Sequence, residues 1–110
     1  MAREIVAYKM SLRHGNCIKI VGDIPRDAKH IKKIICNSRN DGMWGKELQE
    51  HNFPFVLGTT MEISIIFEAH GFKVKLPDGF EFTFPNRLKL HTLNYLEIGH
   101  DILIRSVTFK

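Results

Sequence analysis

Strict alternation of apolar and polar residues is the feature that most limits what this chain can fold into. In Phe72-Lys73-Val74-Lys75-Leu76 every second residue is apolar, the pattern of an extended strand with one face on a core and the other in water. Pro77-Asp78-Gly79 follows; proline pre-sets a negative φ and glycine accepts a positive one, so the chain turns there. Phe80-Glu81-Phe82-Thr83-Phe84 alternates again, and residues 72–84 read as a β-hairpin ended by Pro85-Asn86. Met61 to Phe67 repeats the pattern with Met61, Ile63, Ile65 and Phe67 on one face. Ile102 to Phe109 predicts a C-terminal strand, and Ile18–Val21 and Ile34–Asn37 predict shorter ones. Gly22, Gly42, Gly58, Gly71, Gly79 and Gly99 punctuate the chain at the intervals of an all-β sandwich. Asp27 to Cys36 can also be written as a short amphipathic helix with Ile31, Ile34 and Ile35 inward. β-Branched residues dominate that stretch, however, and a strand suits their stiffness better.

A length of 110 residues supplies one core and not two, so residues 1–110 are expected to form a single domain. With 44% apolar and 25% charged residues, the composition argues against disorder. No apolar run is long enough to cross a bilayer as a helix, so no membrane insertion is expected. The start, Met1-Ala2-Arg3-Glu4, lacks the basic-then-apolar layout of a signal peptide and predicts a cytoplasmic origin. The formal charge of +4 is spread from Arg3 to Lys110, and the densest cluster, Lys29 to Lys33, holds three lysines and His30. Charge dispersed in this way reads as a solvated surface and not as a nucleic-acid footprint.

Chemistry-bearing motifs are missing. His14, His30, His51, His70, His91 and His100 are scattered, with no H-E-x-x-H and no paired C-x-x-C, so neither a metal nor another cofactor is expected. There is no G-x-S-x-G elbow, P-loop or G-x-G-x-x-G. Cys17 and Cys36 are the only cysteines, too few for a disulfide framework, and read as buried free thiols. Cys36 follows Ile34-Ile35 and is expected to point into the core, not to serve as an activated nucleophile. The chain is expected not to be an enzyme.

One series of motifs is specific. It runs from Ile35-Cys36-Asn37-Ser38 through Gly42-Met43-Trp44-Gly45-Lys46-Glu47 to Asn52-Phe53-Pro54-Phe55. It continues in Val74-Lys75-Leu76-Pro77-Asp78-Gly79 and Phe84-Pro85-Asn86-Arg87-Leu88, with Val21-Gly22-Asp23-Ile24-Pro25 upstream. In that order these motifs resemble the galectins, β-galactoside-binding lectins, and above all the single-domain prototype members. The resemblance implies a jelly-roll β-sandwich and a non-catalytic carbohydrate-binding role. The ligands it implies are β-galactoside glycans on glycoproteins or glycolipids, with a homodimer built on the terminal strands Ile5–Met10 and Ile102–Phe109. It also implies cytoplasmic and extracellular location by unconventional secretion, and sensitivity of Cys17 and Cys36 to oxidation.

The residue types fit that role independently of the family. A pyranose has an apolar C–H face and a rim of hydroxyls. Trp44, the only tryptophan, offers a flat apolar platform, and the adjacent Gly45 leaves room for close approach. Its glycine and charged neighbours predict an exposed ring in place of a core aromatic. Glu47 supplies acceptors and Asn37 an amide that can fix hydroxyl directions. Asn37, Trp44, Glu47 and Gln49 are the candidate sugar-contacting residues.

Two departures fall on the site itself. The family's H-x-N-x-R strand, whose His, Asn and Arg make the principal galactose contacts, occurs nowhere in the chain. Between Asp27-Ala28-Lys29-His30 and Ile34-Ile35-Cys36-Asn37 only Ile31-Lys32-Lys33 intervene, which reads as an internal deletion that shortens one sheet by two strands. At Gln49 the family usually carries an arginine; glutamine can hydrogen-bond but brings no charge-assisted fork. His30 is seven residues from Asn37, so on one strand it points to the opposite face. Weakened or lost galactoside affinity is expected, together with exposed strand edges and apolar surface. The alternative reading is a galectin-related dimerisation or protein-interaction module that binds no sugar.

Overall fold

The computed structural model describes residues 6–27, 34–98 and 102–110. Its elements in chain order are β1 (Val6–Arg13), β2 (Cys17–Asp23), β3 (Ile34–Cys36), β4 (Arg39–Asn40), β5 (Met43–Trp44), β6 (Leu48–Glu50), β7 (Thr60–Phe67), β8 (Gly71–Lys75), β9 (Glu81–Pro85), β10 (Thr92–Ile98) and β11 (Leu103–Phe109). No helix forms among the described residues. The all-β expectation is met. In Ile34–Cys36 the extended form prevails over the helical alternative, while residues 28–33, His30 among them, lie outside the described residues.

One layer is a continuous antiparallel sheet in the order β11-β2-β7-β8-β9. Its centre is the β2–β7 seam, where Ile18 faces Ile65, Ile20 faces Ile63 and Gly22 faces Met61. The alternation read from the sequence sets which face is buried: Ile18 is 1% exposed and Phe67 1%, with Ile20, Met61 and Val74 also buried. An aromatic row continues the core across three strands. Phe67 stacks on Phe72 at 5.0 Å, and Phe72 on Phe84 at 6.1 Å. On the outer face Lys19 pairs with Glu62 at 2.7 Å, and Asp23 accepts from Arg105 and from Thr60. The Thr60 hydroxyl, and after it Arg105, holds the Asp23 carboxyl below its ordinary range.

The opposite layer is built in pieces. β1 pairs with β10, β3 with β6, and β4 with β5. Leu12 of β1 and Leu93 of β10 pack against Ile18, Ile20, Met61 and Phe67, and Leu96 joins from the rim. Among the described residues β3 has β6 as its one strand neighbour, and β10 has β1. The sandwich expected from the resemblance is present, with this layer interrupted between β10 and β3.

Several boundaries differ from the sequence reading. The N-terminal strand runs on to Arg13 because one extra residue in β1, between Lys9 and Leu12, is absorbed as a bulge opposite β10. β10 itself was not foreseen: Tyr95 and Leu96 stand side by side in it, which spoils the period of two. Cys17 and Cys36 are free, as expected, but half-buried and not buried: Cys17 opens β2 on the face opposite the buried Ile18, and Cys36 ends β3, which has β6 as its one strand neighbour among the described residues. Replacing Phe67 with alanine is expected to cost about 3–5 kcal/mol. Urea unfolding should show a lower midpoint at unchanged slope; a loss below about 1 kcal/mol would contradict the placement of the core.

Candidate functional site

The β3–β6 register decides which side chains share a face. Ile35 pairs with Gln49 and Cys36 with Leu48, and the same register carried one step beyond the ladder sets Asn37 opposite Glu47. Ile35, Gln49 and Glu47 are accordingly on the exposed side, Ile35 at 50% exposure. Cys36 and Leu48 take the inner side and are partly covered, as the parity of the sequence requires. Burial pushes the Cys36 thiol up to about 11, against the pull of the Arg87 guanidinium, while the Glu50 carboxylate adds to the rise. A thiol held protonated in this way is no nucleophile at neutral pH.

β4 and β5 form a minimal hairpin in which Arg39 pairs with Trp44 and Asn40 with Met43. Asp41 and Gly42 make its turn, with φ of 51° and 77°, the left-handed pair that a two-residue hairpin needs and that Asp-Gly supplies most cheaply. This hairpin lifts Trp44 out of the core: its ring is 58% exposed, as its neighbours in the sequence predicted. The Arg39 guanidinium lies 5.4 Å from the ring centre, close enough for a cation–π contact. Sequence reading gave Arg39 no role. The Asp-Gly turn held the signal, because a two-residue loop at 41–42 must place residue 39 opposite residue 44.

The candidate polar residues are partly committed to one another. Asn37 Nδ2 donates to the Gly45 carbonyl at 2.9 Å, and its Oδ1 accepts from the Ser38 amide at 2.8 Å. One amide hydrogen of Asn37 is left for a ligand. Gln49 Nε2 donates to Glu47 Oε1 at 3.2 Å, so the glutamine steadies the carboxylate in the manner of a neutral stand-in for a cation. Gly45 has a structural purpose that its sequence context did not show. A Cβ there would meet Arg87 Nη1 at 3.2 Å and Asn37 Oδ1 at 3.3 Å, so the missing side chain makes room for Arg87 and Asn37. Arg87 donates through Nη1 to the Lys46 carbonyl and lies over the Phe84 ring at 4.7 Å, tying the site loop to the end of β9.

Two spaces adjoin Trp44. The first is a shallow hollow of about 590 Å³ beside the ring, walled by Met43, Asp41, Lys46 and Arg87. The second is a cleft of about 1500 Å³ that Asn37, Trp44 and Glu47 also line. Its floor is the inner face of the five-stranded sheet, with Ile18, Ile20, Ile63 and Val74, and its walls are β3 and β10. Among the described residues none of β1 or β6 lines it. Of the apolar side chains that line it, Ile35, Trp44, Leu88 and Tyr95 are exposed; on the floor Ile18, Ile20, Met61 and Val74 are buried and Ile63, Ile65 and Phe72 half-buried.

The motif order and the fold agree with the comparisons. The family model for galactoside-binding lectins matches residues 25–109. The chain belongs to the galectin family. It is 36% identical to galectin-1 of Bos taurus over 135 residues, covering all of both chains, and 46% identical to galectin-2 of Sus scrofa over 89% of this chain and 97% of that one. Set against the 110 residues here, the bovine alignment spans at least 25 positions at which this galectin has no residue. Among solved structures, CG-16, a homodimeric agglutinin from chicken liver, superposes with a TM-score of 0.85 at 31% identity over 97% of this chain and all of that one. Toad ovary galectin in complex with thio-digalactose gives 0.84 at 26% identity over 96% and 98%. The family is one of non-catalytic, β-galactoside-binding lectins.

The four described histidines, His14, His51, His70 and His91, are exposed, and no group of three or more potential metal ligands forms among the described residues. The Cys36 environment gives a direct test. Alkylation of Cys36 by iodoacetamide is expected to be slower than that of Cys17 at pH 7.5 and to climb steeply only as pH approaches 11. Equal rates for the two thiols at neutral pH, read by mass spectrometry, would contradict the inward placement.

Proposed function

We propose that residues 1–110 form a single carbohydrate-recognition domain that binds β-galactosides weakly and without catalysis. Trp44 stacks on the apolar face of the sugar, Glu47 accepts from its hydroxyls, Asn37 donates its remaining amide hydrogen, and Gln49 holds Glu47 in place. The observation that supports this reading best is the exposed Trp44 ring with Asn37 and Glu47 at one shared cleft, in a family named for galactoside binding. The bound thio-digalactose of the toad ovary relative points to the same ligand class.

Affinity is reduced for a chemical reason. The H-x-N-x-R motif is absent from the sequence, and Gln49 gives no charged fork. Hydrogen bonds to charged groups contribute about 1.5–3 kcal/mol each, so losing two of them costs on the order of a hundredfold or more in affinity. Glycan-bearing proteins and lipids are the proposed partners, met in the cytoplasm and, by unconventional secretion, outside the cell.

A second reading, dimerisation without sugar binding, draws on the sheet edges. β11 has β2 as its one strand neighbour among the described residues and β1 has β10, leaving two terminal strands able to extend across a two-fold axis. The homodimeric chicken relative supports it.

Titrating lactose while following the fluorescence of the single tryptophan separates the two. Saturable quenching or enhancement in the millimolar range, reduced at least tenfold in affinity by Glu47→Gln, is the expected result. No response of the wild type up to tens of millimolar, with a dimer by sedimentation, would overturn the lectin reading in favour of the second.

A further inference from the structure

The geometry points to a metal site at the end of the β1–β10 ladder, where His14 and His91 together bind a divalent ion of the zinc, nickel or copper type and water completes its coordination. Neither residue lines the spaces beside Trp44, so the site stands independently of the lectin reading.

Register brings the pair together. Leu12 faces Leu93 and Arg13 faces Thr92, and one step beyond the ladder sets His14 opposite His91. Directly opposed side chains are the closest neighbours that an antiparallel pair offers. The two ring centres are 6.0 Å apart, with their planes at 49°. A metal about 2.0–2.1 Å from one nitrogen of each ring holds the ring centres roughly 5–6.5 Å apart, from a tetrahedral to a linear arrangement. The observed spacing lies within that range, so rotation about side-chain bonds is enough to aim both rings at one ion. The two residues are far apart in the chain, which is why no spacing motif marks them.

Hydrogen bonding decides which nitrogen of His14 is offered. A carbonyl only accepts, so His14 donates through Nε2 to the Leu90 carbonyl at 3.1 Å, and the lone pair of the neutral ring is on Nδ1. Metal-ligating histidines have this arrangement, one ring nitrogen donating to a backbone carbonyl while the other takes the ion. The Leu90 carbonyl is itself held by Asn86, whose Nδ2 donates to it at 2.9 Å and whose Oδ1 accepts from the Leu90 amide at 3.0 Å. Phe67 supports the ring from the core side, in edge contact at 4.8 Å. The Gly15 amide donates to the Phe67 carbonyl at 2.7 Å and fixes the turn that carries His14. The first ligand is therefore oriented before an ion arrives.

Availability and chemistry agree with this. Among the described residues, neither His14 Nδ1 nor the His91 ring makes a hydrogen bond or ion pair. Both residues are exposed, so water can occupy the remaining positions. Imidazole suits zinc, copper and nickel, whereas magnesium and calcium take oxygen ligands. Two protein ligands, with Arg13 and Lys89 beside them in the chain, give micromolar binding and not a permanently held ion.

Nickel(II) is the probe, titrated into the wild-type protein by calorimetry and followed in parallel by NMR of the histidine rings. One ion per chain is expected, with the His14 and His91 ring signals broadened together and before those of the other histidines. His91→Asn should lower the affinity about tenfold or more, since even an outer partner of a metal ligand is worth that much. His51→Asn, an exposed histidine elsewhere, should leave it unchanged. His91 makes no hydrogen bond among the described residues, so its replacement tests the ligand and not the fold. Parallel broadening of all the histidines, an unchanged affinity in His91→Asn, or no uptake at a hundredfold excess of nickel over protein would each overturn the site.

Discussion

Ile18 and Ile20 of β2 lie opposite Ile65 and Ile63 of β7, and every other element is placed by that seam. β2 and β7 each have a strand on both sides, β11 and β8, so their backbone groups are paired along both edges while their inner side chains form the core. Cross-strand β-branched pairs of this kind are the unit of sheet stability. The aromatic row Phe67–Phe72–Phe84 extends the same buried surface toward β9. A slip of one residue in the seam would turn the whole set outward, which is why its register is so tightly specified.

The candidate site residues stand on the other layer, where support is much thinner. β3 and β6 have three residues each, β4 and β5 two each. Short ladders contribute little on their own. What holds them is a set of specific ties: Asn37 to Gly45, Arg87 to Lys46, and the Asp41-Gly42 turn. A site of this kind is positioned by a few hydrogen bonds over a firm sheet, so contact geometry at Trp44 and Glu47 depends on residues, such as Arg87, that need not touch a ligand.

Much of this was legible in the sequence, for identifiable reasons. Residues 72–76 alternate cleanly, and the structure turns 71–75 into β8 with Val74 buried; 61–67 and 102–109 become β7 and β11, with Met61 and Phe67 of β7 buried while β11 stays exposed or half-exposed. Parity alone set Ile35 outward and Cys36 inward. Trp44 was readable as an exposed ring from its glycines and charges. β10 escaped because Tyr95 and Leu96 interrupt its alternation. The packing role of Gly45 escaped because it is long-range: Arg87, 42 positions along the chain, fills the space its side chain would need, and no local pattern encodes that. The cleft was inferable only as missing strands, whereas the mixture of buried and half-buried side chains on its floor follows from how the two layers meet.

Native-state hydrogen exchange tests most directly the claim that one firm sheet carries a lightly held layer bearing the candidate site. Amides of β2, β7 and β8 should exchange only through global unfolding, and those of β3 and β6 orders of magnitude faster, under conditions where the protein is fully folded. Protection of β3 amides equal to that of β7 would contradict the account, since it would require β3 to be as firmly paired as the centre of the opposite sheet.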